Sequence, residues 1–286
     1  MSQIRNTSGM TTIALVFIFL FAFSANAQTL KLMTYNIRLD LAVDGDNDWN
    51  HRKDFFSTQI QFYAPDIFGI QEALPNQVTD LEKRLRNYDH VGIGRDGEGK
   101  GEASSIFYDK ARFQMKETHT FWLSETPDRV SKGWDASYIR ICTYVLLKDK
   151  RTKWTFWVFN THLDNNGVVA RTRGMALILA KIKEVNLKSD PVVFMGDFNS
   201  EPGSELLINL KKVMTDSRDV SEAKPFGPSG TFNGFKFNEP VTKLIDYIFV
   251  SDPSRMIVKK YAVLSDSDNL KYPSDHLPVY VELYLK

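Results

Sequence analysis

Val192-Val-Phe-Met-Gly-Asp-Phe-Asn199 is the stretch on which the fold turns. Its first four residues are apolar without alternation, and two of them are β-branched. Such a run reads as a strand covered on both faces, by a second sheet on one side and helices on the other. The run then stops in an acid and an amide. Asp197 and Asn199 are separated by one residue, so in extended backbone their side chains point the same way. A buried strand that ends in polar groups places a site at the edge of a sandwich.

Short runs of the same composition read as strands at Leu30–Ile37, Ile67–Gln71, Ser104–Tyr108, Arg140–Leu147, Thr155–Thr161, Leu244–Val250 and Val279–Leu285. The spacing of Phe55, Phe56, Ile60 and Tyr63 predicts a helix over Arg52–Tyr63. A broad apolar stripe through Met175, Ile178, Ile182 and Val185 predicts another over Val168–Val185, and Asn76–Leu85 is a shorter candidate. Helices alternate with strands early, while later strands follow one another through loops. That mixture predicts an α/β chain of the α+β type: two mixed β-sheets flanked by helices, four layers in all.

Residues 1–27 read differently. Arg5 is their only charge, an apolar run spans Ile13 to Phe23, and Ser24-Ala25-Asn26-Ala27 follows. This is the pattern of a secretory signal peptide cleaved near Ala27. The run falls short of the roughly 20 apolar residues of a transmembrane helix. The protein is therefore expected to be secreted or periplasmic, without a stable membrane anchor. Residues 28–286 read as one domain, with no linker or repeat to divide them. The chain's 36 basic residues nearly balance its 35 acidic ones. It lacks the broad positive field of a binder of long polyanions, so nucleic acid is possible as a substrate but not favoured. Cys142 is the only cysteine, which excludes an intrachain disulfide; it reads as a small buried hydrophobe.

Other strand-like runs also end in polar groups: Met33-Thr-Tyr-Asn36, Ile70-Gln-Glu72 and Phe159-Asn-Thr-His-Leu-Asp164; Ser274-Asp-His-Leu-Pro278 sets an acid beside a histidine just before the last strand. Leu244-Ile-Asp-Tyr-Ile-Phe249 embeds Asp246 between apolar residues, which is costly unless the acid is paired. Any one of these residues alone would more often form a turn than a site. As an ordered set, Thr-Tyr-Asn36, Gln-Glu72, Asn-Thr-His162, Gly-Asp197-Phe-Asn199, Ile-Asp246-Tyr and Ser-Asp275-His276 resemble the endonuclease/exonuclease/phosphatase superfamily, the deoxyribonuclease I-like hydrolases. The resemblance runs from about Leu30 to the C-terminus. Gly94-Arg-Asp96, Gly133-Trp-Asp-Ala136 and Thr231-Phe-Asn-Gly-Phe235 are similar to segments of its exported bacterial members.

The resemblance implies that residues 28–286 are a catalytic domain. The implied reaction is Mg²⁺- or Mn²⁺-dependent hydrolysis of phosphate esters, as a phosphodiesterase or a phosphatase, by in-line attack of water. It implies Asn36 and Glu72 as the main metal residues, joined by Asp275 directly or through water; hard oxygen ligands suit those ions. His276, paired with Asp246, is implied to be either the general base or a phosphate-binding imidazolium with Asp197 as base. Asp197 and Asn199 would hold the attacking water and a phosphate oxygen, and His162 would stabilise the transition state or the leaving group. Arg140 matches a phosphate-contacting arginine, with a surface ion pair as the alternative. Asn233 is either a substrate contact or a loop-former. In-line attack builds negative charge on the equatorial and leaving oxygens, where a cation and hydrogen-bond donors stabilise it.

Two rivals stand beside this reading. A sequence-nonspecific nuclease would need a basic groove or stacking aromatics near the site. A catalytically inactive binding module is opposed by the intact motif set. A monomer is expected. Gly92-Ile-Gly-Arg-Asp-Gly97 matches a dinucleotide-binding pattern literally, but Glu-Gly-Lys-Gly-Glu follows where a helix should, so it reads as a flexible loop near the site. Trp122 and Trp134 border either a cleft or the core.

Overall fold

The computed structural model describes residues 29–286, so the expected leader and its cleavage point lie outside the described residues. The first strand, β1 (Leu30–Asn36), leads to α1 (Trp49–Tyr63), where Asp48 caps the helix by accepting the His51 backbone N–H at 3.1 Å. The cap starts the helix three residues before the periodicity alone indicates. α1 carries the chain across to β2 (Ile67–Gln71), which pairs parallel with β1. Next come α2 (Pro75–Arg84), β3 (Tyr88–Val91) and β4 (Ile106–Asp109). Together with β11 (Met256–Val263) and β12 (Val279–Leu285) these strands form a sheet in the order β11-β12-β1-β2-β4-β3.

The second sheet comprises β5 (Phe113–Trp122), β6 (Ile141–Asp149), β7 (Thr155–His162), β8 (Val192–Asp197), β9 (Thr215–Asp216) and β10 (Asp246–Val250), in the order β5-β6-β7-β8-β10-β9. α3 (Val168–Val185) makes the crossover between parallel β7 and β8, and the short α4 (Glu205–Leu210) follows β8. Each sheet thus has one central parallel pair among antiparallel neighbours.

Three apolar layers hold these elements together. Leu32, Ile67, Val158, Val193, Ile248 and Val281 meet between the sheets. Phe56, Ile60, Phe68 and Leu81 pack α1 and α2 on the first sheet, and Phe159, Ile178, Phe194 and Leu207 pack α3 and α4 on the second. Val193 belongs to the inter-sheet layer and Phe194 to the helical one, which is why the Val192–Met195 run does not alternate. The architecture is the four-layer sandwich of two mixed sheets expected from the sequence.

Some boundaries differ. The strand expected over Leu244–Val250 begins only at Asp246. Upstream, the Ile245 carbonyl accepts the Phe198 N–H at 2.8 Å and the Leu244 carbonyl accepts the Tyr247 hydroxyl at 2.9 Å. Asp246 therefore stands at the mouth of its strand rather than embedded within it. β5 escapes sequence reading because the middle of this edge strand is exposed and polar, and β11 because a bulge between Val258 and Lys260 breaks its alternation.

A buried amide links the two sheets beneath the strand ends. Asn160 of β7 donates to the Ile70 and Ser105 carbonyls, both at 2.9 Å, and accepts from Gln71 at 2.7 Å. Gly69 makes room for it: a Cβ there would lie 2.8 Å from Asn160 Cγ and 2.9 Å from Met195 Sδ. Gly69→Ala is expected to cost about 1–3 kcal/mol by overpacking, lowering Tm by roughly 3–10 °C. An unchanged thermal transition would mean that the sheets part without penalty.

Candidate active site

Strand register brings the polar ends together. Asn36 pairs with Gln71, His162 with Asp197, and Asp197 with Asp246, so β1, β2, β7 and β8 end where β10 begins. Gly196 allows the tight approach: its φ is 144°, and a Cβ would lie 2.0 Å from the Thr161 carbonyl oxygen. Glu72 (φ 65°) and Asn199 (φ 46°) adopt left-handed backbone, a strain of order 1 kcal/mol or more each that persists only where the surroundings fix it. Both residues line the same cavity.

His276 and Asp246 form a buried pair, Nδ1 to Oδ2 at 2.8 Å, and the Thr231 hydroxyl donates to the same oxygen at 2.5 Å. Burial alone would depress the imidazole. The Asp246 charge and hydrogen bond, with Asp197 and Asp275 adding, lift it instead to about 10. Asp197 is 1% exposed; its carboxylate accepts the Asn199 backbone N–H at 2.8 Å and the Asn36 amide at 3.0 Å. Burial, reinforced by the Asp246 charge, pushes this carboxyl up to about 7. Its Oδ2 lies 3.4 Å from His162 Nε2 and 3.8 Å from His276 Nε2.

Asn199 donates its side-chain N–H to the Leu163 carbonyl at 3.0 Å and lies 3.0 Å from His162 Nε2. An amide donor at Nε2 puts the His162 proton on Nδ1, which is buried without a partner. Burial first, then the charges of Arg140, His276 and Arg95, hold His162 well below the usual imidazole range. The site thus pairs a cationic imidazole with a neutral one.

Two donor groups could hold a cation. Ligand atoms of Asp197, Asp246 and His276 all lie within 4.8 Å of one another, so this buried group could hold a metal ion. His276 Nδ1 is already bonded to Asp246, however, and a metal there would displace that bond and its proton. Glu72, Asp275 and Asn36 form the second group. Asn36 donates to Glu72 at 3.0 Å and the Leu39 N–H to the other Glu72 oxygen at 3.2 Å. Burial and the Glu72 charge both push the Asp275 carboxyl up, and the Arg38 guanidinium lies 3.9 Å away. Two crowded carboxylates are hard-oxygen donors whose repulsion a divalent cation would relieve, so the second group fits better. Asn36 turns its amide nitrogen to Glu72 and Asp197, while its oxygen accepts the Arg38 N–H at 3.0 Å.

Arg52 went unnoticed in the sequence. Its guanidinium is buried and donates only to backbone carbonyls: Ile37 and Pro273 at 2.8 Å, Asn47 at 2.5 Å and Arg38 at 3.2 Å. It ties the loop after β1 to the segment carrying Asp275. Asp164 was also missed. It accepts backbone N–H groups of Ser137, Tyr138, Asn166 and Gly167; burial would raise its carboxyl, but these bonds bring it down to about 2.

Arg140 lies in the cavity wall and is no surface residue: it forms a buried pair with Asp164 at 3.4 Å. Asn233 does not reach the cavity. Its amide donates to the Ser274 carbonyl at 3.1 Å and accepts the Phe235 N–H at 2.7 Å, so the loop-forming alternative describes it. The loop over 92–103, expected to be flexible, folds back on itself, with the Arg95 N–H on the Glu102 carbonyl at 2.9 Å. The buried Trp122 indole donates to the Arg95 carbonyl at 2.7 Å, which makes Trp122 the anchor of that loop.

The groups that do converge line a cavity of about 620 Å³, with Arg38, Arg95, Phe232 and Lys243 around them. Comparisons with known proteins point the same way. An uncharacterized protein of Acanthamoeba polyphaga mimivirus is 32% identical over 162 residues, 54% of this chain; the chain spans 60% of that relative's length. The endonuclease/exonuclease/phosphatase structure from Bacteroides vulgatus is 36% identical with a TM-score of 0.85, covering 91% of this chain and 100% of its own. The mannosyl-6-phosphatase of Bacteroides thetaiotaomicron is 39% identical, also at 0.85, covering 90% and 100%. The model of the Endonuclease/Exonuclease/phosphatase family matches residues 33–276, which spans every polar strand end described above, and the chain belongs to that family.

Proposed function

We propose that this hydrolase of the endonuclease/exonuclease/phosphatase superfamily is a divalent-metal-dependent phosphoesterase acting outside the cytoplasm, with a phosphate monoester of a compact polar alcohol as its preferred substrate. One observation carries the reading: Asp197, the His276–Asp246 pair and the His162–Asn199 pair converge on one cavity beside Glu72 and Asp275. The mannosyl-6-phosphatase at 39% identity supports a monoester. The leader pattern in residues 1–27 supports export.

Each group has a role that follows from its surroundings. Asp246 holds His276 as a cation, which places positive charge where phosphoryl oxygens gain negative charge. Asp197 is then the carboxylate left to accept the proton of the attacking water. His162 and Asn199, bonded to each other through Nε2, add a neutral polar pair to the cavity wall beside Asp197. Glu72 and Asp275 would hold Mg²⁺ or Mn²⁺, with the Asn36 amide N–H orienting Glu72. When bound, such an ion polarises the phosphoryl oxygen and offsets the developing charge.

The test is hydrolysis of a chromogenic phosphomonoester and the matching diester. Turnover should vanish on chelation and return with Mg²⁺ or Mn²⁺, faster on the monoester. Glu72→Ala should raise the Mg²⁺ needed for half-maximal rate by about tenfold or more. Full activity in excess chelator would rule out metal dependence, and a faster diester would make the enzyme a phosphodiesterase.

A further inference from the structure

The residues assigned above form only part of the cavity lining. The wall formed by Tyr138, Asn165, Asn166 and Glu102 has a different chemistry. Tyr138 stands there with 49% of its surface open. Two guanidiniums rest against its ring, Arg95 at 5.2 Å and Arg140 at 5.5 Å, and Asp164 holds its backbone N–H at 3.1 Å. The ring is therefore fixed in place before any ligand arrives, which limits the entropy lost on binding.

Hydrogen-bonding groups surround it. Asn165 and Asn166 are exposed on the same wall. The Asn165 amide oxygen takes an Arg140 N–H at 3.4 Å, and the Asn166 amide nitrogen donates to Ser137 at 3.0 Å. Each amide keeps its other end for a ligand. Glu102 completes the wall, ion-paired with Arg95 at 2.7 Å. A half-exposed aromatic ring beside amides and a paired carboxylate fits a ligand with one apolar C–H face and a rim of hydroxyls. It fits a second phosphate poorly, because the guanidiniums beside Tyr138 are already paired, Arg95 with Glu102 and Arg140 with Asp164. The volume of about 620 Å³ lies within the roughly 300–1,000 Å³ of small-molecule sites.

We propose that this wall is a specificity subsite for a pyranose ring: Tyr138 stacks on the C–H face of the sugar, and Asn165, Asn166 and Glu102 hold its hydroxyls. The proposal rests on the phosphoesterase reading for the phosphate end of the ligand. Sites built to hydrogen-bond a hydroxyl discriminate strongly against ligands that lack it.

Binding and turnover test the two readings separately. Calorimetric titration of Asp197→Asn protein with mannose 6-phosphate and with inorganic phosphate, both with Mg²⁺, should give at least about tenfold tighter binding of the sugar phosphate. Adding Tyr138→Ala should remove most of that advantage, Tyr138→Phe should keep it, and Asn166→Ala, at an exposed position, should reduce it without lowering Tm. Equal affinity for the two ligands overturns the proposal, as does an advantage that survives both alanine variants. A nucleoside 5′-monophosphate binding more tightly than the sugar phosphate also overturns it, giving the wall to a base. If the unsubstituted enzyme turns over no ester while the Tyr138-dependent advantage holds, the subsite stands and the hydrolase reading falls. Turnover with no preference for the sugar leaves the hydrolase reading and removes the subsite.

Discussion

Asp197→Asn should lower kcat by about a thousandfold or more, within or beyond the usual 10²–10⁴ contribution of a positioned base, and leave the fold intact. The amide is the same size, and one of its atoms can still accept the Asn199 N–H. Its other end would set an N–H₂ against the Asn36 N–H₂, losing the 3.0 Å bond and the proton acceptor together. Stability should behave differently from rate. Asp197 is buried opposite Asp246, and the repulsion between the two acids is part of what pushes the Asp197 carboxyl up to about 7. Removing one of two buried like charges should leave Tm equal or higher, the usual opposition between a strained site and a stable one. Kinetics on a phosphomonoester beside thermal unfolding would check both halves. A rate within tenfold of the parent would take the base role from Asp197.

The polar strand ends at Asn36, Glu72, His162 and Asp197 were legible because each combines two local patterns, an apolar run and an abrupt polar stop. Val192–Asn199 shows why: burial on both faces forces the run to be apolar, and the sheet edge is where Asp197 can meet His162 and Asp246. Arg52 could not be read in this way. All its hydrogen-bond partners are backbone carbonyls, which no residue pattern marks, and in sequence it is one polar residue at the start of an amphipathic helix. Asp164 hid for the same reason, since its partners are mostly backbone N–H groups. The three bacterial-type segments were visible but mute. Arg95 lines the cavity, Asp135 caps α3 by accepting the Ala170 N–H at 2.6 Å, and Thr231 bonds Asp246. Their roles depend on contacts with residues tens of positions away, as between Arg95 and Tyr138 or Asp135 and Ala170. Asn233 shows the converse error, a polar residue in a suggestive segment whose amide closes a turn and ties it to the Ser274 carbonyl instead of facing the cavity.

Asp246→Asn and His276→Ala should each lower kcat by about 10²–10⁴, and the double variant should be no slower than the slower single. Asparagine at 246 can still accept the Thr231 hydroxyl and the His276 N–H through one oxygen, so the geometry survives while the charge is lost. What disappears is the charge that overcomes burial and keeps the imidazole cationic. If Asp246 works only by setting the state and orientation of His276, removing both groups removes one function, and the two penalties do not multiply. Multiplying penalties would point elsewhere. Asp246 also faces Asp197 across the β8–β10 pairing, and its charge bears on that carboxyl directly. A double variant slower than either single by a further hundredfold would therefore assign Asp246 mainly to Asp197, with His276 acting on the phosphoryl group alone.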